Sequence, residues 1–206
     1  MTLLEVLVVI IVIVILISFF LPGLSNPGHM HRTPLDTCRT HLRQIDIAFI
    51  MYASDSNGHF PMQVFTNDGG TQEIRDQTFP HYQKLSGYLL YVPTLVCPAD
   101  KNRGAAENYA QLTDTNLSYF INVDASTNNP STTILAGDRN LQSNGRAVPS
   151  GSFTLTRSLD MGWTRELHPN MGILAFADGH AEISQGVNLN LAVRRQRLGL
   201  SHLSIP

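Results

Sequence analysis

Residues 1–21 read MTLLEVLVVIIVIVILISFFL, and this stretch is the most informative part of the chain for predicting its architecture. Apart from Thr2, Glu5 and Ser18, every side chain in it is apolar. As a helix the stretch would be about 30 Å long, which matches the hydrocarbon core of a bilayer. A helix in the core of a soluble domain is rarely apolar on all sides over such a length. The pattern therefore predicts a transmembrane or filament-core helix over residues 1–21.

The flanks of this segment are unlike those of a cleaved secretory signal peptide. No basic residue precedes the apolar run, and no small-residue cleavage site follows it. The first Lys or Arg is Arg32, so the positive charge that orients simple membrane anchors is missing from the chain as given. We expect that a basic leader has been removed and that Met1 begins the mature chain. The alternative is that Met1 is the initiator and the helix is a simple anchor.

Glu5 is the one acidic residue of the apolar segment. A carboxylate on a lipid-facing helix costs about 2–3 kcal/mol or more without a partner, although the helix N-terminus offsets part of this. The Met1 amine is a suitable cation, either from the same helix or from the next copy in a staggered bundle. The second arrangement would set the axial register, and repeated heterologous contacts of this kind build an open filament.

This N-terminus resembles that of type IV pilins and type II secretion pseudopilins, which share an apolar first residue, Thr2, Glu5 and a continuous apolar helix. The resemblance implies cleavage of a leader by a prepilin peptidase, N-methylation of the new amine, and subunit recruitment through Glu5. It implies a helix break at Pro22 during assembly. It further implies storage in the inner membrane, then assembly into a cell-surface filament by dedicated machinery. Met1 departs from the family, whose mature chains mostly begin with Phe.

The segment 22–34 is predicted to be an irregular linker that spans at most about 40 Å. This departs from the family, in which the first helix usually continues into the head. Residues 35–206 are predicted to form one extracellular globular head. The residues that disfavour a regular helix in the linker are Pro22, Gly23, Pro27, Gly28 and Pro34.

Composition limits the classes of function that the head can serve. The chain has 206 residues, 15% of them charged, with a formal net charge of −2. A nucleic-acid binder would carry a basic stripe, and a disordered chain would lack the 43% hydrophobic content. No nucleic-acid partner and no cofactor are expected.

A second, amphipathic helix is predicted after the linker. Thr33 is a good N-cap, Pro34 suits the first helical position, and Gly58 is a plausible left-handed residue after the helix. Ala48 widens the buried stripe. The apolar positions that form the stripe are Leu35, Cys38, Leu42, Ile45, Phe49 and Tyr52.

The only two cysteines, Cys38 and Cys97, are predicted to form a disulfide. Cys38 lies on the buried stripe of the second helix, so its partner should come from the layer beneath. An export-type N-terminus favours oxidation, and the alternative is two buried free thiols.

Further blocks resemble planctomycete-type pilin-like proteins whose C-terminal signature is His, nine residues, then Asp-Gly. The first block begins CRTHLRQI at Cys38, and the second is LVCPAD around Cys97. The signature itself is His168 followed by Asp178-Gly179. Together the blocks touch most of the chain. They imply an α+β, pilin-like fold in which the second helix packs on an antiparallel β-sheet.

The signature region also reads as a β-hairpin from its residues alone. The apolar run Gly172–Ala177 is predicted to be the first strand, and Asp178-Gly179 the two-residue turn. The alternating segment His180–Ser184 is predicted to be the second strand. His168, Asp178 and His180 could instead be metal ligands. Turn chemistry already accounts for Asp178 and Gly179, so we favour the structural interpretation. No nucleophile elbow supports a Ser/His/Asp catalytic set, and we predict no enzyme activity.

The remaining chain is predicted to contain two strands, a loop and a short helix. The strands are at Thr132–Ala136 and Ser152–Thr156, the loop at Asn116–Ser131, and the helix at Asn188–Gly199. The helix would present a small basic patch of Arg194, Arg195 and Arg197, for which a plain solvated face is the commoner explanation. Asp100, Asp114 and Asp124 could contribute to a calcium site, but no EF-hand spacing supports it.

The sequence as a whole predicts a structural filament subunit whose main partner is a second copy of itself. One alternative is a pseudopilin of a type II secretion system, which would form a shorter assembly. A less favoured alternative is a membrane-anchored enzyme or binding module that carries a pilin-like export signal.

Overall fold

The computed structural model describes residues 3–24, 33–196 and 200–206. The chain divides into two compact units, Met1–Arg32 and Thr33–Pro206.

The first unit contains helix α1, which spans Leu3–Leu24. It ends within one turn after Pro22, so the predicted boundary at residue 21 is slightly early. A proline this close to the C-terminal end ends a helix without disrupting its body. Met1 and residues 25–32 of the predicted linker lie outside the described residues.

In the part of the chain that the structure describes, no helix is both long and apolar enough to cross a membrane. The predicted localisation, inner-membrane storage followed by a cell-surface filament, is therefore wrong.

The second unit is an α+β domain, which confirms the predicted fold class at that level. Helix α2 spans Pro34–Asp55, and its cap is the predicted Thr33, whose hydroxyl accepts a hydrogen bond from the Asp36 N–H at 3.2 Å. Gly58 adopts the expected left-handed conformation, with φ of 80°, and closes the C-terminal end through the Ala53 carbonyl. The other helices are α3 (Phe79–Gln83) and α4 (Gly186–Arg195), with 3-10 turns at Pro61–Gln63, Thr66–Asp68, Val92–Leu95, Tyr109–Gln111 and Asp114–Asn116.

Two antiparallel sheets complete the domain. The strands of the larger sheet are β1 (Tyr119–Asn122), β2 (Ile134–Asp138), β5 (Gly151–Thr156), β7 (Met171–Phe176), β8 (Ala181–Gln185) and β9 (Leu200–Ile205). Their spatial order is β5-β9-β1-β2-β7-β8. The smaller sheet contains β3 (Leu141–Ser143), β4 (Arg146–Ala147) and β6 (Met161–Trp163), in the order β4-β3-β6.

The larger sheet is covered on both faces, which explains the continuous apolar run in β7. Ile173 and Ala175 belong to a core that includes the buried face of α2. Leu174 and Phe176 belong to a second core, which includes residues of β6 and α4. Alternate side chains of a strand point to opposite faces, so a strand between two cores is apolar at every position.

Two strands of the larger sheet were not predicted. The segment Asn116–Ser131 is mostly loop, as predicted, but it also contains β1, whose four residues are all buried between β9 and β2. Strand β9, near the end of the chain, was not predicted. The two strands predicted at Thr132–Ala136 and Ser152–Thr156 are confirmed as β2 and β5. The helix predicted at Asn188–Gly199 is confirmed as α4, which starts two residues earlier and ends at Arg195, and residues 197–199 lie outside the described residues.

Candidate functional site

The predicted disulfide joins Cys38 on α2 to Cys97, which follows the 3-10 turn Val92–Leu95. Both residues are fully buried. The bond closes a loop between positions 59 apart, which corresponds to about 3–4 kcal/mol in the chain-entropy model. It attaches the buried face of α2 to the segment that carries the VCPAD block.

His168, the first residue of the signature, lies directly against this disulfide. Its Nε2 atom is 3.4 Å from Cys97 Sγ, and only 4% of the residue is exposed. A β-bridge to Met171 holds it just ahead of β7. Burial lowers the pKa of His168, so the imidazole is neutral at pH 7.

Asp138, at the end of β2, is the second polar group beside His168. Its Oδ2 atom lies 3.8 Å from His168 Nε2 and accepts a hydrogen bond from the Ile173 N–H at 2.9 Å. Its Oδ1 atom is buried without a hydrogen-bond partner. Burial raises the pKa of Asp138 to about 8, so the carboxyl group holds its proton at neutral pH. We refer to Cys38, Cys97, His168 and Asp138 as the signature cluster.

An ion-pair network flanks the signature cluster. Arg139 donates to both carboxylate oxygens of Asp100, at 2.8 and 3.0 Å, and to Glu166 at 2.6 Å. Burial alone would raise the pKa of Asp100, but hydrogen bonds from Arg139 and Ser118 hold it below its usual value. The bidentate geometry makes this a strong, directional pair between the VCPAD block and the residue that follows β2.

The signature cluster therefore joins α2, the VCPAD block, β2 and the start of β7 at one buried place. A neutral imidazole, a protonated carboxyl group and a disulfide in such a setting are suited to holding elements together. Sequence analysis missed Asp138 and Arg139, and a Gly-Asp-Arg-Asn stretch after an apolar strand does not by itself distinguish a buried acid from a turn residue.

Asp178, Gly179 and His180 lie at the opposite end of β7 from His168. Six residues of strand separate these ends by about 20 Å, so the three candidate metal ligands His168, Asp178 and His180 do not converge. The hairpin itself is confirmed, but its turn is longer than predicted. The Gly179 N–H donates to the Phe176 carbonyl, and the Phe176 N–H donates to the His180 carbonyl.

Gly179 has φ of 94° in this turn, a conformation that favours glycine. The loop is therefore Ala177-Asp178-Gly179, with the glycine in its last position. Asp178 Oδ1 accepts from the His180 N–H at 3.2 Å and also pairs with the His180 ring. Turn chemistry thus accounts for both Asp178 and Gly179.

A further buried acid, Asp46 on α2, lies near the hairpin turn. It is fully buried, and neither of its carboxylate oxygens has a hydrogen-bond partner. Burial, and secondarily the nearby Asp178, raise the pKa of Asp46 to about 8. The helix also contacts the hairpin through Arg39, whose Nε donates to the Ala181 carbonyl at 3.1 Å. The burial of Asp46 was not predicted. The residue follows Ile45 in the sequence but is not one of the apolar positions whose 3–4 spacing marks the buried face of α2.

The three aspartates weighed as calcium ligands serve separate local contacts. Asp100 belongs to the arginine network, and Asp114 accepts from the backbone N–H groups of Thr78 and Phe79 at 2.9 and 2.8 Å. Asp124 accepts from the His202 N–H at 2.8 Å, and pairs with Arg75. These contacts explain the aspartates without a shared ion.

The residues predicted to mediate assembly lie in the first unit. Glu5 is in the first turn of α1 and Pro22 is in its last turn, whereas Met1 lies outside the described residues. The large apolar side chains of Leu3–Ile17 are between 42% and 85% exposed within the described structure. In the predicted basic patch, Arg194 and Arg195 are exposed at the end of α4, and Arg197 lies outside the described residues.

Comparisons with protein-family models, curated proteins and solved structures give no match for this chain.

Proposed function

We propose that this protein is the structural subunit of a filament of the type IV pilin kind, in which α1 helices of neighbouring copies pack together. The observation that carries the proposal is the exposure of α1: its large apolar side chains from Leu3 to Ile17 are all at least 42% exposed. Burying the exposed half of one such side chain is worth about 1 kcal/mol. Packing a dozen of them against like helices is therefore a strong driving force for assembly.

Glu5 supplies the register in this proposal. A carboxylate that enters an apolar bundle needs a nearby cation, and the Met1 amine of the next copy is the proposed source. The contact is heterologous, because residue 5 of one copy meets residue 1 of another, so its repetition extends without closing. The pairing requires that a prepilin peptidase leaves Met1 as the first residue, which N-terminal sequencing of the mature protein measures directly.

The head supports the proposal through its fold and its crosslink. A pilin-like head would place α2 on an antiparallel sheet, and the observed α+β domain has that arrangement. The disulfide is suited to a structural subunit, because it attaches α2 covalently to the segment that contains Cys97. We propose a structural rather than catalytic role for the signature, because His168 and Asp138 are buried in the head.

The test compares three full-length proteins by negative-stain electron microscopy and analytical sedimentation. Wild type and Glu107→Gln, which removes an exposed acid from the head, should both form long fibres. Glu5→Gln should form few or none, because it removes the charge that sets the register. Dispersed monomers in the wild-type sample, or equal fibre formation by Glu5→Gln, would contradict the proposal. Uniformly short assemblies would favour the pseudopilin alternative.

A further inference from the structure

The signature cluster brings together three atoms that commonly bind metal ions. Cys38 Sγ, Cys97 Sγ and a ring nitrogen of His168 all lie within 4.8 Å of one another, and all three residues are buried. Within residues 3–24, 33–196 and 200–206, this is the one group of three such ligands at that spacing. The disulfide occupies both sulfur atoms, so the group can bind a metal only when the disulfide is reduced.

The distance between Cys97 Sγ and His168 Nε2 matches that of a tetrahedral zinc site, and only the distance between the two sulfur atoms has to increase. Zinc–sulfur bonds of about 2.3 Å and zinc–nitrogen bonds of about 2.0–2.1 Å place a sulfur and a nitrogen ligand about 3.6 Å apart. The observed distance from Cys97 Sγ to His168 Nε2 is 3.4 Å. The same bond lengths place two sulfur ligands about 3.8 Å apart, so after reduction the sulfur atoms need only move from bonding distance to that separation.

Asp138 lies beside His168 but outside the group of atoms that all lie within 4.8 Å of one another. Its Oδ2 atom is 3.8 Å from His168 Nε2, and its Oδ1 atom is fully buried without a hydrogen-bond partner. The Ile173 N–H donates to Oδ2 at 2.9 Å and so fixes the carboxyl group of Asp138 beside the imidazole, where it is suited to be an outer contact of His168. Two cysteines and a histidine, with one solvent molecule, are an adequate ligand set for zinc.

We propose that the reduced protein binds one zinc ion through Cys38, Cys97 and His168, with a solvent molecule as the fourth ligand. A dithiol supplies the two electrons and two protons that convert the disulfide to two thiols, and the dithiol itself becomes a disulfide. Zinc then displaces both thiol protons as its bonds to the two sulfur atoms form. The link between α2 and the VCPAD block is thereby kept in both redox states, by a covalent bond or by a metal ion.

The test titrates the full-length protein with Co²⁺, a spectroscopic substitute for zinc, and then displaces it with Zn²⁺. The protein is first reduced without oxygen, and the same preparation left oxidised is the matched control. The reduced protein should bind one Co²⁺ per chain with thiolate charge-transfer absorption and the visible bands of tetrahedral coordination. Zinc should bleach these bands, and the oxidised protein should show none of them.

Two variants assign the ligands. His168→Asn should weaken binding at least tenfold and change the spectrum, whereas His180→Asn, which removes an exposed histidine in the hairpin turn, should behave as wild type. Unchanged binding by His168→Asn, equal binding by the oxidised protein, or no binding by the reduced wild type would overturn the proposal.

Thermal unfolding provides a readout that does not depend on the variants. Zinc should raise the Tm of the reduced wild-type protein and leave that of the oxidised protein unchanged, because only the reduced form offers thiolates. If reduction alone unfolds the head, zinc should restore its near-UV circular dichroism. Failure of zinc to stabilise or refold the reduced protein would count against the site.

Discussion

Replacing Asp46 by asparagine should flatten the dependence of stability on pH. In the folded protein the pKa of Asp46 is raised from 3.8 to about 8, first by burial and then by Asp178. Between these two values the folded state keeps a proton that the unfolded state has released. The contribution of Asp46 to the free energy of unfolding should therefore fall as pH rises from about 4 to about 8.

The size of this effect follows from the shift. Each pKa unit corresponds to about 1.4 kcal/mol, so Asp46 alone lowers stability by several kcal/mol between the two ends of the window. Asp138, whose pKa is also raised to about 8, adds a loss of the same sign. Burial lowers the pKa values of His41, His81 and His168, so these histidines add a gain in stability as pH rises to about 6.5. The two acids therefore dominate the slope between about pH 7 and pH 8, where Asp46→Asn should roughly halve it. The slope is the quantity to compare, because asparagine also places an amide in the same apolar setting.

The assay is urea unfolding followed by circular dichroism at pH 5, 6, 7 and 8, with the disulfide intact. Asp76→Asn, which removes an exposed acid, is the control and should keep the wild-type slope. The reasoning would be refuted if wild-type stability were constant or rose between pH 7 and pH 8. It would also be refuted if Asp46→Asn and wild type had the same slope.

Two further predictions concern packing and the ion-pair network. Gly172→Ala should destabilise the head by about 2 kcal/mol or more, because an added Cβ would lie 2.4 Å from the buried ring of Trp163. The control is Gly87→Ala, which has open space around the added Cβ and should be nearly neutral in the same urea assay. Arg139→Met should cost about 3 kcal/mol at pH 7, because it leaves the buried carboxylate of Asp100 without its bidentate partner. The pKa of Asp100 is lowered in the folded protein, so the difference between this variant and wild type should shrink as pH falls below about 4.

The sequence predicts elements well where local chemistry and burial agree. In α2, the cap at Thr33 and the 3–4 spacing of apolar residues fix both the start of the helix and its buried face. The hairpin at Asp178-Gly179 is predicted for the same reason, although the turn is longer by Ala177. The disulfide follows from the presence of only two cysteines in the chain.

The features that the sequence does not predict, a buried strand and two buried acids, depend on packing between distant parts of the chain. The strand Tyr119–Asn122 is short and lies in an Asn- and Thr-rich region, and its burial depends on β9 from the end of the chain. Asp138 and Asp46 are indistinguishable from surface acids in the sequence. Their burial beside His168 and beneath the hairpin turn follows only from the way the sheet and α2 pack.

The most direct test of the filament proposal is a helical reconstruction of fibres grown from the full-length protein. It measures the distance between the Glu5 carboxylate and the nearest amine in the fibre core. The proposal predicts that this amine is the N-terminus of a neighbouring copy, within the roughly 4 Å of an ion pair. A core in which the carboxylate meets no neighbouring N-terminus, or in which α1 helices do not contact one another, would contradict it.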